Sequence, residues 1–339
     1  MGKNAIILAG DIGASKTILA LYPGKGEFSS PLKESTYPSG EYDGLSPMLD
    51  DFLLGVDRSI ASAAFGVAGP VVDQKAQITK LPWSIEADAI KNHLNISAVF
   101  LLNDLVANAY GLDCIEPAGL VSLNDSCVNL NSPKAMLSPG TGLGEVFFID
   151  SVQGKQVFDS EGGHCLFAPA NQEQIGLLQF YQKDQQTITY DTLCCGDGFV
   201  KIYNFLREQS TYSANPEIET ALSMARHPAA VITENSVREE VQQRCPLCVR
   251  TVEIFVEMLA AEAANMVLKM LARGGVYIGG GIPPKILPYL QKSFMPVFSR
   301  HQTMGRILST VPVHVVCNTK TALYGAASFA MGKVNIKGV

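Results

Sequence analysis

One pattern is written twice in this chain, and it constrains the fold more than any other feature. Ala5-Ile6-Ile7-Leu8-Ala9 runs into Gly10-Asp11-Ile12-Gly13-Ala14-Ser15-Lys16-Thr17, and the apolar run Thr17-Ile18-Leu19-Ala20-Leu21-Tyr22 follows. Further on, Ala135-Met136-Leu137 leads through Ser138-Pro139-Gly140-Thr141-Gly142-Leu143-Gly144 into Glu145-Val146-Phe147-Phe148-Ile149-Asp150. Strand, glycine loop, strand is a hairpin in both places, and a repeated unit is better evidence than either copy alone. Two glycine turns also coincide by chance in a chain with 30 glycines.

The first loop is one residue from a P-loop, since G-x-x-x-x-G-K-[ST] would be met if Ser15 were Gly. A P-loop needs a full helix behind it to hold phosphate on its amino end, but here Pro23-Gly24 stops the chain after six residues. The stretch is therefore a hairpin tip whose glycines let backbone N–H groups approach an anion, or an ordinary turn. An acid inside a phosphate loop makes sense beside a divalent cation, which marks Asp11 as a residue facing Mg²⁺. Two such hairpins, one per domain, are placed to clasp one nucleotide.

A chain of 339 residues exceeds one ordinary core, so two domains are expected. The net charge of -6, with no basic run, argues against nucleic acid or an anionic membrane surface. No apolar run is long enough to span a bilayer, and Met1-Gly2-Lys3-Asn4 leads straight into a strand, so a cytoplasmic protein is expected. Cysteines at 114, 127, 165, 194, 195, 245, 248 and 317 lack the spacing of a disulfide scaffold and should be reduced and mostly buried. Cys245-Pro246-Leu247-Cys248 reads as a helix start, with structural zinc the lesser alternative.

Between the hairpins, residues 27–46 read as strand plus loop, residues 63–72 as a strand, and Ser84 as the cap of a helix running to about Leu94. Val99-Phe100-Leu101-Leu102 then ends on Asn103-Asp104, which puts two short polar side chains at the carboxyl end of a buried strand, where α/β proteins bind ligands. The same pair also suits a helix cap. Ser160-Glu161-Gly162-Gly163-His164 lets an acid and an imidazole converge across a tight backbone, a polar-ligand site or a solvated turn. A long helix is expected over 250–273, stopped by Gly274-Gly275. Val276-Tyr277-Ile278 then enters Gly279-Gly280-Gly281, a third glycine cluster at a strand end with room for a base and sugar. A strand over 311–317 and a helix over 321–331, packed back on the first domain, close the chain.

Together these pieces resemble the bacterial glucokinase family, within the hexokinase and actin-like ATPase fold. The resemblance runs from about Ala5 to Ala330. It is carried by Leu8–Thr17, Phe65–Val71 with Leu81-Pro82-Trp83, Leu102-Asn103-Asp104, Pro139–Glu145, Ser160–Pro169 and Gly274–Pro288. It implies a two-domain α/β, ribonuclease H-like fold with a cleft between the domains, a small domain of 1–114 plus 318–339 and a large one of 115–317. It implies ATP-dependent phosphorylation of glucose at the 6-hydroxyl in glycolysis, with Mg²⁺, by a homodimer. Gly10, Asp11, Ile12, Gly13, Ala14 and Ser15 would form the first phosphate loop, Gly140, Thr141 and Gly142 the second, and Gly279, Gly280 and Gly281 the adenosine contact. Asn103, Asp104, Glu161 and His164 would hold the sugar, with Asp104 as general base.

The sequence departs from the family at four places. Ala14 and Ser15 replace Gly-Thr, Ser138 replaces Gly, and a further sugar contact that is normally Glu falls on Asp191, one methylene shorter. Altered sugar affinity or choice is the expectation that follows. The alternatives are a kinase for another hexose or amino sugar and a sugar-binding regulator of the same fold without turnover.

Overall fold

The computed structural model describes residues 6–24, 30–57, 59–78, 80–126, 129, 131–184, 187–209, 212–213, 215–238 and 240–336. Ala5, which the sequence reading places in the first strand, and Cys127 lie outside them, as do residues 27–29 of the stretch read as strand plus loop.

Two compact units emerge, Met1–Ala118 with Asn318–Val339 and Gly119–Cys317. The sequence places the first break after Cys114. Residues 115–118 group with unit 1; a 3-10 turn, Leu112–Cys114, precedes them and a second, Pro117–Gly119, spans the boundary.

In unit 1, β1 (Ile6–Ile12) and β2 (Lys16–Pro23) form the first hairpin, followed by β3 (Lys33–Pro38), α1 (Leu45–Leu53) and β4 (Ile60–Val67). Strand β1 is apolar almost throughout because it is central, antiparallel to β2 and parallel to β4. The polar, half-exposed β3 takes the edge. Helix α1 was not expected; Pro47 in its first turn hides it, although Leu45, Met48, Leu49 and Phe52 recur at helical spacing and are buried.

The strand expected over 63–72 breaks at Gly69-Pro70. Its end becomes β5 (Val71–Val72), which pairs with β6 (Lys75–Gln77), itself paired with β7 (Ser84–Glu86). Ser84 therefore caps nothing: its backbone is in β7, and Glu86 precedes α2 (Ala87–Leu94). Then come β8 (Val99–Asn103), parallel to β4, and α3 (Asp104–Gly111).

Unit 2 opens with β9 (Leu120–Ser122), then β10 (Lys134–Pro139) and β11 (Leu143–Ser151), the second hairpin, and β12 (Gly154–Ser160). Helices α4 (Gln172–Gln182), α5 (Tyr190–Leu193), α6 (Gly196–Glu208), α7 (Pro216–Met224), α8 (Pro228–Ser236) and α9 (Pro246–Met270) follow. Cys245 is the residue at which α9 starts, with Pro246 in its first turn. Gly274-Gly275 does not cap α9. The helix ends on Leu271, left-handed at φ 48°, whose N–H bonds to the Val267 carbonyl, and Gly275 already belongs to β13 (Gly275–Ile278). α10 (Leu287–Phe298), α11 (Gly305–Leu308) and β14 (Val313–Val316) complete the unit.

The sheet orders show that the repeat goes beyond the hairpin. Unit 1 runs β3-β2-β1-β4-β8 and unit 2 runs β12-β11-β10-β13-β14, with β9 added at the edge. In both, a hairpin and a third antiparallel strand flank two further parallel strands.

Finally α12 (Thr321–Ile336) returns to unit 1, where Leu323, Ala326, Ala327 and Ala330 bury against Ile7, Ala9, Ala20 and Ala64. Among the described residues no helix is long and apolar enough to cross a membrane. No disulfide joins the described cysteines; 194, 195, 245 and 248 are buried, 114 and 317 partly so, and 165 is exposed.

Candidate functional site

In unit 1 the parallel strands β1, β4 and β8 end at one sheet edge, where Asp11 pairs in register with Gly66 and Val67 with Asn103. The first hairpin turns at that edge: β1 ends at Ile12 and β2 begins at Lys16, so Gly13, Ala14 and Ser15 form its tip. Gly10, Asp11 and Ile12 lie within β1 instead of the loop. Gly10 has its own packing reason, since a Cβ there would sit 2.5 Å from Phe65 Cδ1.

The tip is braced from below. The buried Ser39 hydroxyl donates to the Gly13 carbonyl at 2.7 Å and contacts Thr17 Oγ1 at 2.9 Å. Neither Ser39 nor its role is visible in the sequence, because its partners come from a strand two elements back.

Asn103 and Asp104 divide their work. Asn103 Oδ1 accepts from the N–H groups of Leu105 and Val106 at 3.0 and 3.3 Å, so Asn103 is the cap of α3, and its Nδ2 donates to the Gly69 carbonyl. Asp104 Oδ1 accepts from Leu105 N–H at 2.8 Å. Burial pushes the Asp104 carboxyl above its ordinary value, against the pull of that amide. Burial also pushes Asp11 up to about 6, with the negative charge of Asp104 adding and Lys16 opposing. Two carboxyls thus share this edge, with exposed Lys16 as the offsetting charge beside Asp11.

In unit 2, Gly140-Thr141-Gly142 is the tip between β10 and β11, closed by a Gly140 N–H to Gly142 carbonyl bond of 2.8 Å. It is buttressed by the segment beneath it. Gly196 N–H, at the start of α6, donates to the Gly140 carbonyl at 2.8 Å. Asp191 Oδ1 accepts from Leu143 N–H at 2.6 Å, and a Cβ on Gly142 would lie 2.4 Å from that oxygen. Asp191 therefore sits under the glycine turn.

Gly279–Gly281 follows β13, the parallel neighbour of β10. Gly279 N–H donates to the Leu137 carbonyl, and Gly280, at φ 89°, lies where a Cβ would be 2.6 Å from the Pro139 carbonyl. The second and third glycine clusters thus share one edge of unit 2.

Glu161 precedes the 3-10 turn Gly162–His164 and His164 ends it, both exposed, with Glu161 Oε2 3.7 Å from His164 Nε2. A Cβ on Gly163 would fall 2.1 Å from the Leu143 carbonyl, so this turn lies directly on the start of β11. Hence Glu161, His164, Asp191 and Gly140–Gly142 all gather around Leu143 and its neighbours. Among the described residues no group of three or more His, Cys, Asp or Glu side chains is arranged to hold a metal ion unaided.

Known proteins resemble this chain in sequence and in fold. The family model described as Glucokinase matches residues 8–333. The glucokinase of Nostoc sp. is 35% identical over 336 residues, covering 95% of this chain and 98% of that protein. Among solved structures, a glucokinase from an Antarctic psychrotroph superposes with a TM-score of 0.80 at 24% identity, over 97% of this chain and 99% of that one. A ROK family glucokinase from Streptomyces griseus, in complex with glucose and AMPPNP, superposes at 0.63 with 17% identity over 96% and 99%. These likenesses identify the fold as the two-domain actin-like ATPase fold. With both hairpin tips and both sheet edges inside the stretch that the family model spans, the chain belongs to the glucokinase family.

Proposed function

We propose that the chain transfers the terminal phosphoryl group of ATP to the 6-hydroxyl of glucose, giving glucose 6-phosphate and ADP, the entry step of glycolysis. The observation that carries this reading is Asp104, a half-buried carboxyl opening α3 at the edge where the first glycine hairpin turns. The family's reaction needs one base at the attacking hydroxyl and backbone donors for the phosphates. Asp104 takes the proton of the 6-hydroxyl as that oxygen bonds to the γ-phosphorus, and the bond from phosphorus to the departing ADP oxygen breaks.

Asn103, Glu161, His164 and Asp191 hold the remaining hydroxyls. The tips Gly13–Ser15 and Gly140–Gly142 offer N–H groups to the phosphates, other than those of Gly13 and Gly140, which are bonded within the turns to the Lys16 and Gly142 carbonyls, with Gly10 and Ile12 supporting the first turn from within β1. Gly279–Gly281 leaves room for adenosine. ATP as the donor is supported by the AMPPNP in the Streptomyces griseus relative. Mg²⁺ fits the residues present, because the carboxyl pair of Asp11 and Asp104 calls for positive charge and Mg²⁺ usually takes one or two carboxylates together with phosphate oxygens. Asp11 would hold it, and the ion when bound would neutralise charge on the phosphate oxygens. The family resemblance supports a homodimer working in the cytoplasm, which light scattering and cell fractionation test.

One observation favours a second reading of the sugar. Asp191 already gives an oxygen to the Leu143 amide, leaving less of it for a sugar hydroxyl than the longer Glu of the family. A coupled ADP assay across glucose, mannose, 2-deoxyglucose and amino sugars decides the substrate. Asp104→Asn is expected to keep glucose binding while kcat falls by at least about a hundredfold, the scale of a lost general base. Near-normal turnover in that variant would leave Asp104 as no more than the first residue of a helix.

A further inference from the structure

The unused group in unit 2 is Glu145, on β11. It is a carboxyl only 3% exposed, and its Oε1 has no hydrogen-bond partner. It pairs in register with Ser160, the residue before Glu161. Its Oε2 lies against Gly162, where a Cβ would come within 2.0 Å. Gly162, the first of the two glycines between Glu161 and His164, is thus required by a buried acid beneath it. Ser160 Oγ accepts the Gly162 N–H at 3.0 Å and closes the same turn.

The surroundings of Glu145 leave it short of positive charge. From α9 it feels Glu262, itself fully buried, and Lys269, whose Nζ is 3.3 Å from Glu262 Oε1 and whose side chain is half exposed. Glu262 Oε2 accepts from Asn265, which also reaches the Tyr190 hydroxyl on α5, next to Asp191. Cys194, just past α5, carries no charge to offset because its thiol is pushed well up by burial and by these acids. One lysine therefore serves two buried carboxyls. Burial first, and Glu262 second, push Glu145 up to about 8.

We propose that Glu145 is a positioning residue for the sugar: as a neutral acid it supports the Glu161–His164 turn on β11, and when it ionises that turn opens and glucose binds more weakly. A second uncompensated charge under Gly162 is relieved only by water entering or by the turn lifting. Either displaces the carboxylate and imidazole from the sugar hydroxyls. Asp104 belongs to the other unit's sheet, so kcat keeps its own pH dependence.

The inference rests on Glu161 and His164 being sugar contacts, and the experiment separates the two. At saturating ATP, KM for glucose in the unaltered protein should be flat near neutrality and rise about tenfold by about pH 9, since only the protonated fraction binds well. Glu145→Gln, neutral at every pH, should hold KM low across the same range with an unchanged kcat profile. Glu262→Gln removes the neighbouring charge and should move the rise to lower pH. A flat KM in the unaltered protein overturns the proposal without any variant, as does an equal rise in Glu145→Gln. If Glu161→Ala and His164→Ala leave KM for glucose unchanged near neutrality, the sugar assignment itself falls. If they raise KM while the unaltered protein stays flat with pH, only the role of Glu145 falls.

Discussion

The carboxylate of Asp191 accepts the Leu143 amide at 2.6 Å from directly beneath Gly142, so it shapes the phosphate turn whatever it does for the sugar. A hydrogen bond to a charged acceptor contributes roughly 1.5–3 kcal/mol. Asp191→Asn keeps the side chain's length and removes the charge. It should raise KM for ATP about tenfold, at least as much as KM for glucose, in two-substrate steady-state kinetics. A rise confined to glucose would make Asp191 a sugar contact alone. This residue also marks where the sequence stops speaking. Asn103 and Asp104 stand out because a continuous apolar run ends on them, and the structure gives both a defined place at the strand edge. The bond from Asp191 joins residues 48 positions apart, and no local pattern announces it. Gly10 carries a second requirement that the sequence hides: it lies within β1, where the Phe65 ring leaves no room for a Cβ.

Helix α3 carries Asp104, and its position depends on how closely α12 lies against it. A Cβ on Gly325 would fall 1.7 Å from the Ala107 carbonyl, and one on Gly111 would fall 1.9 Å from the Thr321 carbonyl. Both clashes are with backbone, which cannot rotate away. Gly66 on β4 adds the same requirement, with Ala107 Cβ at 3.0 Å from a built Cβ. Gly325→Ala should therefore cost about 1–3 kcal/mol and lower Tm, and by shifting α3 it should lower kcat as well. Gly140→Ala, with nothing within 4 Å of its Cβ, should leave Tm unchanged. Equal Tm values for the two variants would contradict a close α3–α12 crossing. At this scale the sequence was informative about strands and hairpins, whose periodicity and glycines are local. It was less so about α1, hidden by its proline, and about β7, where Ser84 resembles a cap until its pairing with Gln77 is known. Helix α9 was legible in its body but not in its end, because a left-handed leucine replaces the glycine that usually stops a helix.

Each unit has its own core, and the chain crosses between them twice, at Ala118–Gly119 and at Cys317–Asn318. The duplicated sheet order was half visible beforehand, since the two hairpins announce it while the parallel strands that complete each copy are set by long-range pairing. The two cores also carry different reporters. Trp83, the sole tryptophan, is buried in unit 1, whereas Glu145 is buried in unit 2. Between its ordinary 4.5 and about 8, the folded form of Glu145 holds a proton that the unfolded chain has released. The folded state then binds more protons, so stability falls as pH rises through this window and the full cost is present above about 8. Unfolding of the unaltered protein, followed by far-UV circular dichroism, should show that loss between about pH 5 and about pH 9, and Glu145→Gln should flatten it. The Trp83 fluorescence midpoint should not respond to Glu145→Gln, because that signal belongs to the other core. Ending the chain at Cys317 should do the reverse, lowering the Trp83 midpoint, because it strips Leu323, Ala326, Ala327 and Ala330 from one face of the unit 1 sheet while Trp83 packs on the other. If Glu145→Gln shifts both probes equally, the molecule unfolds as one cooperative body, and the two cores recorded in its sequence are not two units of stability.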